Sequence, residues 1–193
     1  MDMRKMGILS AAIGAVLGMA ALGCSGKTHY HVPVIFAVTP PQAKVGTSVV
    51  ITGANFKSLQ TVNFGGIPAI NYHMDSDTQI TATVPDNAIT YAIEITNAAG
   101  VADSPTSFIV MPVVSGYTLV SDPAAPPPAV IRLAGSGFYD TSAVTIGGVG
   151  LTGGVNFTYN DQNTLTVTVP SGVTGQVVVS ASGIASTDAV TYP

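Results

Sequence analysis

An internal duplication constrains the fold of this 193-residue chain more than any other feature. The segment VVITGANFKSLQTVNFGGIPAI begins at Val49, and VIRLAGSGFYDTSAVTIGGVGL begins at Val130. Five residues of the first copy recur 82 positions further along, so that Gly53, Phe56, Val62, Gly65 and Gly66 match Gly135, Phe138, Val144, Gly147 and Gly148. We therefore predict two similar modules, over 33–111 and 112–193, behind a short tether over 24–32.

Both copies carry strand patterns. Apolar side chains alternate with polar ones at Ile80, Ala82 and Val84, at Leu165, Val167 and Val169, and at Tyr91, Ile93 and Ile95. A period of two with one apolar face predicts half-buried strands. A Gly-Gly pair between two strand segments predicts a tight hairpin, because such turns need positive φ. Short strands at regular spacing favour an all-β protein made of two tandem sandwiches.

The pattern P-x-I…G-x-x-V-x-I-x-G-x-x-F…V-x-F-G-G…V-P resembles the IPT/TIG domain. Its carriers in the first copy are Pro33, Ile35, Gly46, Val49, Ile51, Gly53, Phe56, Val62, Phe64, Gly65, Gly66, Val84 and Pro85. The second copy carries Pro112, Ile131, Gly135, Phe138, Val144, Ile146, Gly147, Gly148, Val169 and Pro170, but SDPAAPPPA replaces PPQAKVGTS. The resemblance implies immunoglobulin-like sandwiches, and this fold alone assigns no activity.

The first 23 residues have the layout of a signal peptide. Arg4 and Lys5 precede an uncharged run over 6–22, and small residues follow. The alternative is an uncleaved membrane anchor, which needs about 20 apolar residues.

Cys24, the single cysteine, ends this run. The sequence ALGC resembles the lipobox of bacterial lipoproteins, although Ala21 stands where that family favours Leu. The resemblance implies cleavage before Cys24, acylation of this residue and attachment to the cell envelope, with Ser25 favouring the outer membrane. The alternative is an incidental cysteine in a plain secretory signal.

Composition excludes several function classes. Charged residues make up 8% of the chain, and the net charge is -4 with 6 basic residues. This chain therefore lacks the basic stripe that nucleic-acid binding requires. A single cysteine excludes an intrachain disulfide and a multi-cysteine metal site.

The sequence offers little that could catalyse a reaction or hold a cofactor. His29 and His31 could form a metal pair, but the interpretation we favour is a solvated tether. Asp75 and Asp77 lack the spacing of a calcium loop, and Asp161 occupies a similar place in the second copy. The serines lack a G-x-S-x-G elbow, so we predict no enzyme, no cofactor and no metal site.

Exposed aromatic residues are the remaining candidates for ligand contact. Tyr72, Tyr139 and Tyr159 lie near predicted loops or strand ends, where they could stack on a ligand or cover the sandwich. We therefore predict a non-enzymatic, lipid-anchored envelope protein whose modules bind a protein or polymer for adhesion or scaffolding. The alternative is a glycan-binding accessory lipoprotein that acts beside a separate enzyme or transporter.

Overall fold

The computed structural model describes residues 29–121, 128–188 and 190–193. Within these ranges the chain consists of β-strands, turns and loops. Over the same ranges, no helix has the length and apolar character needed to cross a membrane. The predicted all-β fold is confirmed. The signal peptide and Cys24 lie outside the described residues.

Module one comprises two antiparallel sheets and one parallel strand pair. Its strands are β1 (Val34–Thr39), β2 (Gln42–Ala43), β3 (Ser48–Ala54), β4 (Leu59–Phe64), β5 (Ile67–Pro68), β6 (Tyr72–Ser76), β7 (Gln79–Thr83), β8 (Ile93–Asn97), β9 (Gly100–Asp103) and β10 (Ile109–Val110). The sheets have the strand orders β1-β3-β7-β6 and β5-β4-β8-β9, and β2 pairs in parallel with β10. The buried side chains of the module form one apolar cluster.

Module two repeats the arrangement. Its strands are β11 (Val113–Leu119), β12 (Ala129–Ser136), β13 (Thr141–Ile146), β14 (Val149–Leu151), β15 (Phe157–Asp161), β16 (Thr164–Val169), β17 (Gly175–Ala181), β18 (Ile184–Ala185) and β19 (Thr191–Tyr192). The sheet orders are β11-β12-β16-β15 and β14-β13-β17-β18, and β19 pairs with β17. A second, separate cluster of buried side chains forms its core.

The residues shared by the two copies form this frame. Phe56 and Phe138 are fully buried. A Cβ on Gly53 would collide with the Phe56 ring and with the carbonyl oxygen of Val34. Because the same collision would occur at Gly135, the Gly-x-x-Phe spacing lets the aromatic ring pack directly against the backbone of its own module.

A buried amide attaches the start of the described chain to module one. Asn97 is 3% exposed, and its Nδ2 donates to the carbonyl oxygens of His31 and Asn55, each at 2.8 Å. Its Oδ1 accepts from the backbone N–H groups of Ala99 and Gly100 at 2.8 and 3.1 Å. Asn97 thereby holds the segment before β1 against the turn between β8 and β9.

The connection between the modules is short. Strand β10 ends at Val110 and β11 begins at Val113, so only Met111 and Pro112 lie between them. The N–H of Met111 donates to the carbonyl oxygen of Ala43 at 2.9 Å, which fixes the connection to module one. This short join brings the loops of the two modules into contact.

Candidate functional site

A cavity of about 410 Å³ lies between the two modules. Module one contributes Tyr91, Glu94 and Asp103 to its lining, and module two contributes Tyr139. We call this cavity the intermodule cleft. The cleft is thus lined by side chains from both modules, each of which has its own hydrophobic core.

Tyr91 presents its ring to solvent at the rim of the cleft. The residue lies just before β8, and its carbonyl oxygen accepts from the N–H of the buried Phe108 at 2.8 Å. Its side chain is 66% exposed. Alternation with Ile93 and Ile95 predicts an inward position for Tyr91, and this prediction is wrong because the strand begins only at Ile93.

Tyr139 lines the same cavity from the other module. It follows the buried Phe138, and a tight turn continues through Asp140, which has a φ of 58°. Thr141 Oγ1 closes this turn by donating to the carbonyl oxygen of Phe138 at 2.6 Å. Since Phe138 points into the core, the turn directs Tyr139 outward, where it is 43% exposed.

Two carboxylates also line the cleft. Glu94 on β8 is the direct pairing partner of Asp103 on β9, so both side chains lie on the same face of the sheet. Glu94 also pairs with Asn63 on β4, whose Nδ2 donates to Glu94 Oε1 at 2.8 Å. This bond orients Glu94 and leaves hydrogen-bond acceptors available at the cleft.

The hairpin between β4 and β5 closes one side of the cleft. Gly65 and Gly66 have φ values of 58° and 84°, which confirms the predicted tight turn. A Cβ on Gly65 would collide with the Ile89 side chain and lie 2.7 Å from the carbonyl oxygen of Ile89. It would also lie 3.2 Å from Cβ of Tyr91, so glycine is required for this hairpin to approach the aromatic rim.

Tyr159 lies close to Tyr139. It occupies the edge strand β15 opposite Leu165, and it is 43% exposed. Burial raises the pKa of the Tyr159 phenol above its ordinary value of 10.0, and the nearby Asp161 carboxylate and Tyr139 phenol raise it further. The fold thus brings together Tyr139 and Tyr159, two of the three tyrosines singled out in the sequence.

Tyr72 lies elsewhere. It begins β6 in module one, and its hydroxyl donates to the carbonyl oxygen of Gln60 at 2.6 Å. It lines a different cavity, of about 330 Å³, together with His73. The hydroxyl therefore links β6 to β4, which belongs to the other sheet of the same module.

The acidic residues considered for calcium belong to hairpins. Asp75 Oδ2 accepts from Thr81 Oγ1 at 2.7 Å and from Gln79 Nε2 at 3.1 Å, and these bonds lower the pKa of Asp75. Asp77 Oδ1 accepts from the N–H of Lys57 at 3.0 Å.

Asp161 likewise accepts hydrogen bonds within its own turn in module two. Bonds from the Asn163 N–H and the Thr164 hydroxyl lower its pKa.

His29 and His31 line a small cavity of about 120 Å³ with Asp77 and Lys57. Among the described residues, no three His, Cys, Asp or Glu side chains are grouped so that they could hold a metal ion.

The cleft combines two kinds of contact surface. Phenol rings offer flat apolar faces with a polar edge, and they suit ligands that have apolar faces of their own. Carboxylates and amides offer strong acceptors for hydroxyl groups. A ligand that fits both has flat apolar faces and a rim of hydroxyls. Sequence patterns missed Tyr91, Glu94 and Asp103, since the sequence contains no signal that these three residues border a second module.

Comparison with known proteins shows what the first module is similar to. Residues 33–109 match the family model of the IPT/TIG domain. The search of curated proteins gave no match. Among solved structures, the surface glycan-binding protein PbSGBP-B from Prevotella bryantii is 19% identical, with a TM-score of 0.50, over 80% of this chain and 40% of that protein.

Two further solved structures show weaker similarity. A crystal structure with a xylogluco-oligosaccharide is 19% identical, with a TM-score of 0.47, over 83% of this chain and 40% of that one. SGBP-B from a xyloglucan utilization locus of Bacteroides uniformis is 20% identical, with a TM-score of 0.36, over 83% and 48%. This chain spans less than half the length of each of the three proteins. Residues 33–109 thus resemble an IPT/TIG domain, and the described chain has the all-β fold of tandem immunoglobulin-like β-sandwiches.

Proposed function

We propose that this chain is a non-enzymatic glycan-binding protein of a bacterial cell envelope and that the intermodule cleft holds the glycan. One observation carries the proposal: exposed tyrosines from two modules, Tyr91 and Tyr139, border one cavity that also contains Glu94 and Asp103. Sugar rings have apolar faces and hydroxyl edges, which match phenol rings and carboxylates respectively. Tyr159, beside Tyr139, extends the proposed contact surface, whereas Tyr72 lies outside it.

The similarity in fold supports a glycan over a protein partner. The Prevotella bryantii protein is described as a surface glycan-binding protein, and its fold corresponds to 80% of this chain. Glycan binding therefore explains the exposed tyrosines better than adhesion to an unspecified protein does.

The arrangement of the carboxylates favours binding over hydrolysis. Glycosidases place two carboxyl groups on opposite sides of the glycosidic bond. Glu94 and Asp103 are neighbours on one sheet face, so they approach a bound sugar from the same side. Both are positioned to accept hydrogen bonds from hydroxyls.

Affinity electrophoresis in gels containing neutral polysaccharides, such as xyloglucan or mixed-linkage β-glucan, tests the glycan proposal. We expect retention of the full chain carrying Cys24→Ser. Tyr91→Ala and Tyr139→Ala should each weaken binding about tenfold, the effect of losing an aromatic contact of about 1.4 kcal/mol. The control is Phe36→Ala, because Phe36 is 63% exposed but lies on β1, outside the cleft.

Two results would contradict the proposal. One is migration that no neutral or acidic polysaccharide retards. The other is retention that survives the combined Tyr91→Ala and Tyr139→Ala substitutions.

The proposed location rests on Cys24. We propose that Cys24 is the acylated first residue of the mature protein and anchors it to the outer membrane, because several acyl chains give stable attachment. The mass of the N-terminal peptide from membrane-associated protein should show an acylated Cys24, and Cys24→Ala should release the protein. An unmodified soluble protein cut near residue 24 would overturn the lipid anchor and leave the cleft proposal intact.

A further inference from the structure

Asp188 contacts both modules. Its Oδ2 accepts from the backbone N–H of Val114 on β11 at 2.9 Å, and its carbonyl oxygen accepts from Gln176 Nε2 at 3.0 Å. These two bonds hold Asp188 within module two. Its other carboxylate oxygen, Oδ1, lies 3.1 Å from Lys44 Nζ of module one. Among the described residues this is the ion pair that joins the modules.

Lys44 is the partner of Asp188 in module one. It directly follows β2, which pairs with β10, and the carbonyl oxygen of the preceding Ala43 accepts from Met111. The connection is thereby held to module one at Met111 and to module two at Val114. The Lys44–Asp188 ion pair links these two attachments, at Met111 and at Val114.

A second contact crosses the same junction. Asn163 Nδ2, in the turn between β15 and β16, donates to Asn87 Oδ1 of module one at 2.8 Å. Lys44, Asn87 and Asn163 line another cavity between the modules, of about 550 Å³. The Tyr91–Tyr139 cleft is a different cavity, and its lining includes neither Lys44 nor Asp188.

We infer that Asp188 is a positioning residue of the glycan cleft, an inference that rests on the proposed function. It fixes module two against module one through Lys44, and it thereby sets Tyr139 against Tyr91. Without this bridge the two halves of the cleft would move relative to each other. Glycan binding would then carry the entropic cost of aligning the modules.

The bridge also predicts an unusual salt dependence. The side chains of Lys44 and Asp188 are 38% and 20% exposed, so dissolved ions screen their attraction. A neutral glycan carries no charge to be screened. Its affinity should therefore fall with rising salt in the wild type and show little salt dependence in Lys44→Gln.

The experiment combines a distance measurement with a binding measurement. Spin labels at Ala98→Cys and Ser171→Cys, in full chains carrying Cys24→Ser, report the separation of the two modules. Both positions are exposed and lie at the ends of strands remote from the junction. Affinity for soluble xyloglucan and mixed-linkage β-glucan is measured on the same variants without labels.

Lys44→Gln and Asp188→Asn should each broaden the distance distribution and weaken glycan binding about fivefold, within the range of a coupled ion pair. Lys44→Arg keeps the positive charge, so the narrow distance distribution and the wild-type affinity should both be retained. Lys57→Gln, at an unrelated lysine, should change neither quantity. A double-mutant cycle should show that the two substitutions are not additive.

A narrow distance distribution in Lys44→Gln and Asp188→Asn would overturn the inference, whatever the affinity does. Unchanged affinity despite a broad distribution would also overturn it. If the wild type binds no glycan, the proposed function fails, and the distance distribution alone then decides whether Asp188 holds the modules together.

Discussion

The side-chain amide of Asn97 donates to the carbonyl oxygen of His31 across 66 positions of sequence, at 2.8 Å. The same side chain bonds to Asn55, Ala99 and Gly100, so both amide hydrogens and both acceptor sites of its oxygen are occupied. Asn97 thus joins the entry segment, the loop after β3 and the β8–β9 turn.

Replacing this amide should destabilise module one. We expect Asn97→Ala to lower the free energy of unfolding by about 3 kcal/mol, because it leaves several backbone groups without partners in a buried place. Urea denaturation measures the change. Asn71→Ala, at an exposed asparagine, should have little effect, and equal losses in the two variants would contradict this account of Asn97.

Adjacent glycines at the cleft offer a matched pair. Gly65→Ala should cost about 3 kcal/mol or more, because it adds a collision with Ile89 to the strain of a positive φ. Gly66→Ala should cost only about 1 kcal/mol, since nothing lies within 4 Å of the added Cβ. Thermal or urea denaturation would compare them. Similar costs would mean that the approach to Ile89 is unimportant.

The carboxylate of Glu94 should strengthen the binding of a neutral glycan. Glu94→Gln keeps the shape of the side chain and an acceptor for Asn63, but it replaces a charged acceptor with a neutral one. We expect affinity to fall about fivefold, as the difference between charged and neutral hydrogen bonds is about 1 kcal/mol. Isothermal titration with the retained polysaccharide measures this.

Asp77→Asn, remote from the cleft, is the control for Glu94→Gln. Unchanged affinity in Glu94→Gln would exclude Glu94 from the contact surface.

The phenol of Tyr159 should titrate above pH 10.0, and Asp161→Asn should bring its pKa down toward that value by removing a neighbouring negative charge. A pKa that is raised in the folded state stabilises the fold below pH 10.0, and this stability is lost as pH rises through the folded pKa. Asp161→Asn should therefore lose less stability at alkaline pH. NMR titration of the tyrosine ring carbons measures the pKa, and an unchanged value would refute the role of Asp161.

The frame of the fold could be predicted from local patterns, whereas the cleft could not. The Gly65–Gly66 turn and the alternating strands β7 and β16 follow rules that act within a few residues, and the structure confirms them. Tyr91 and Tyr139 border one cavity because the short join at Met111 brings the two modules together. No pattern of alternation encodes that contact. The module boundaries at 33–111 and 112–193 stay a prediction.

The attachment of His31 to module one has a mechanical consequence. Under the proposed function, a lipid anchor on the N-terminal side would pull at one end of β1, and a glycan held in the cleft would pull at the opposite end of the same sandwich. Strand β1 runs antiparallel to β3 through five paired positions, so this tension acts along the strands. Hydrogen bonds stretched in that direction share the force and do not open one after another. The first module would then bear most of the force between the membrane and the polymer, and the core of the second module would bear little of it.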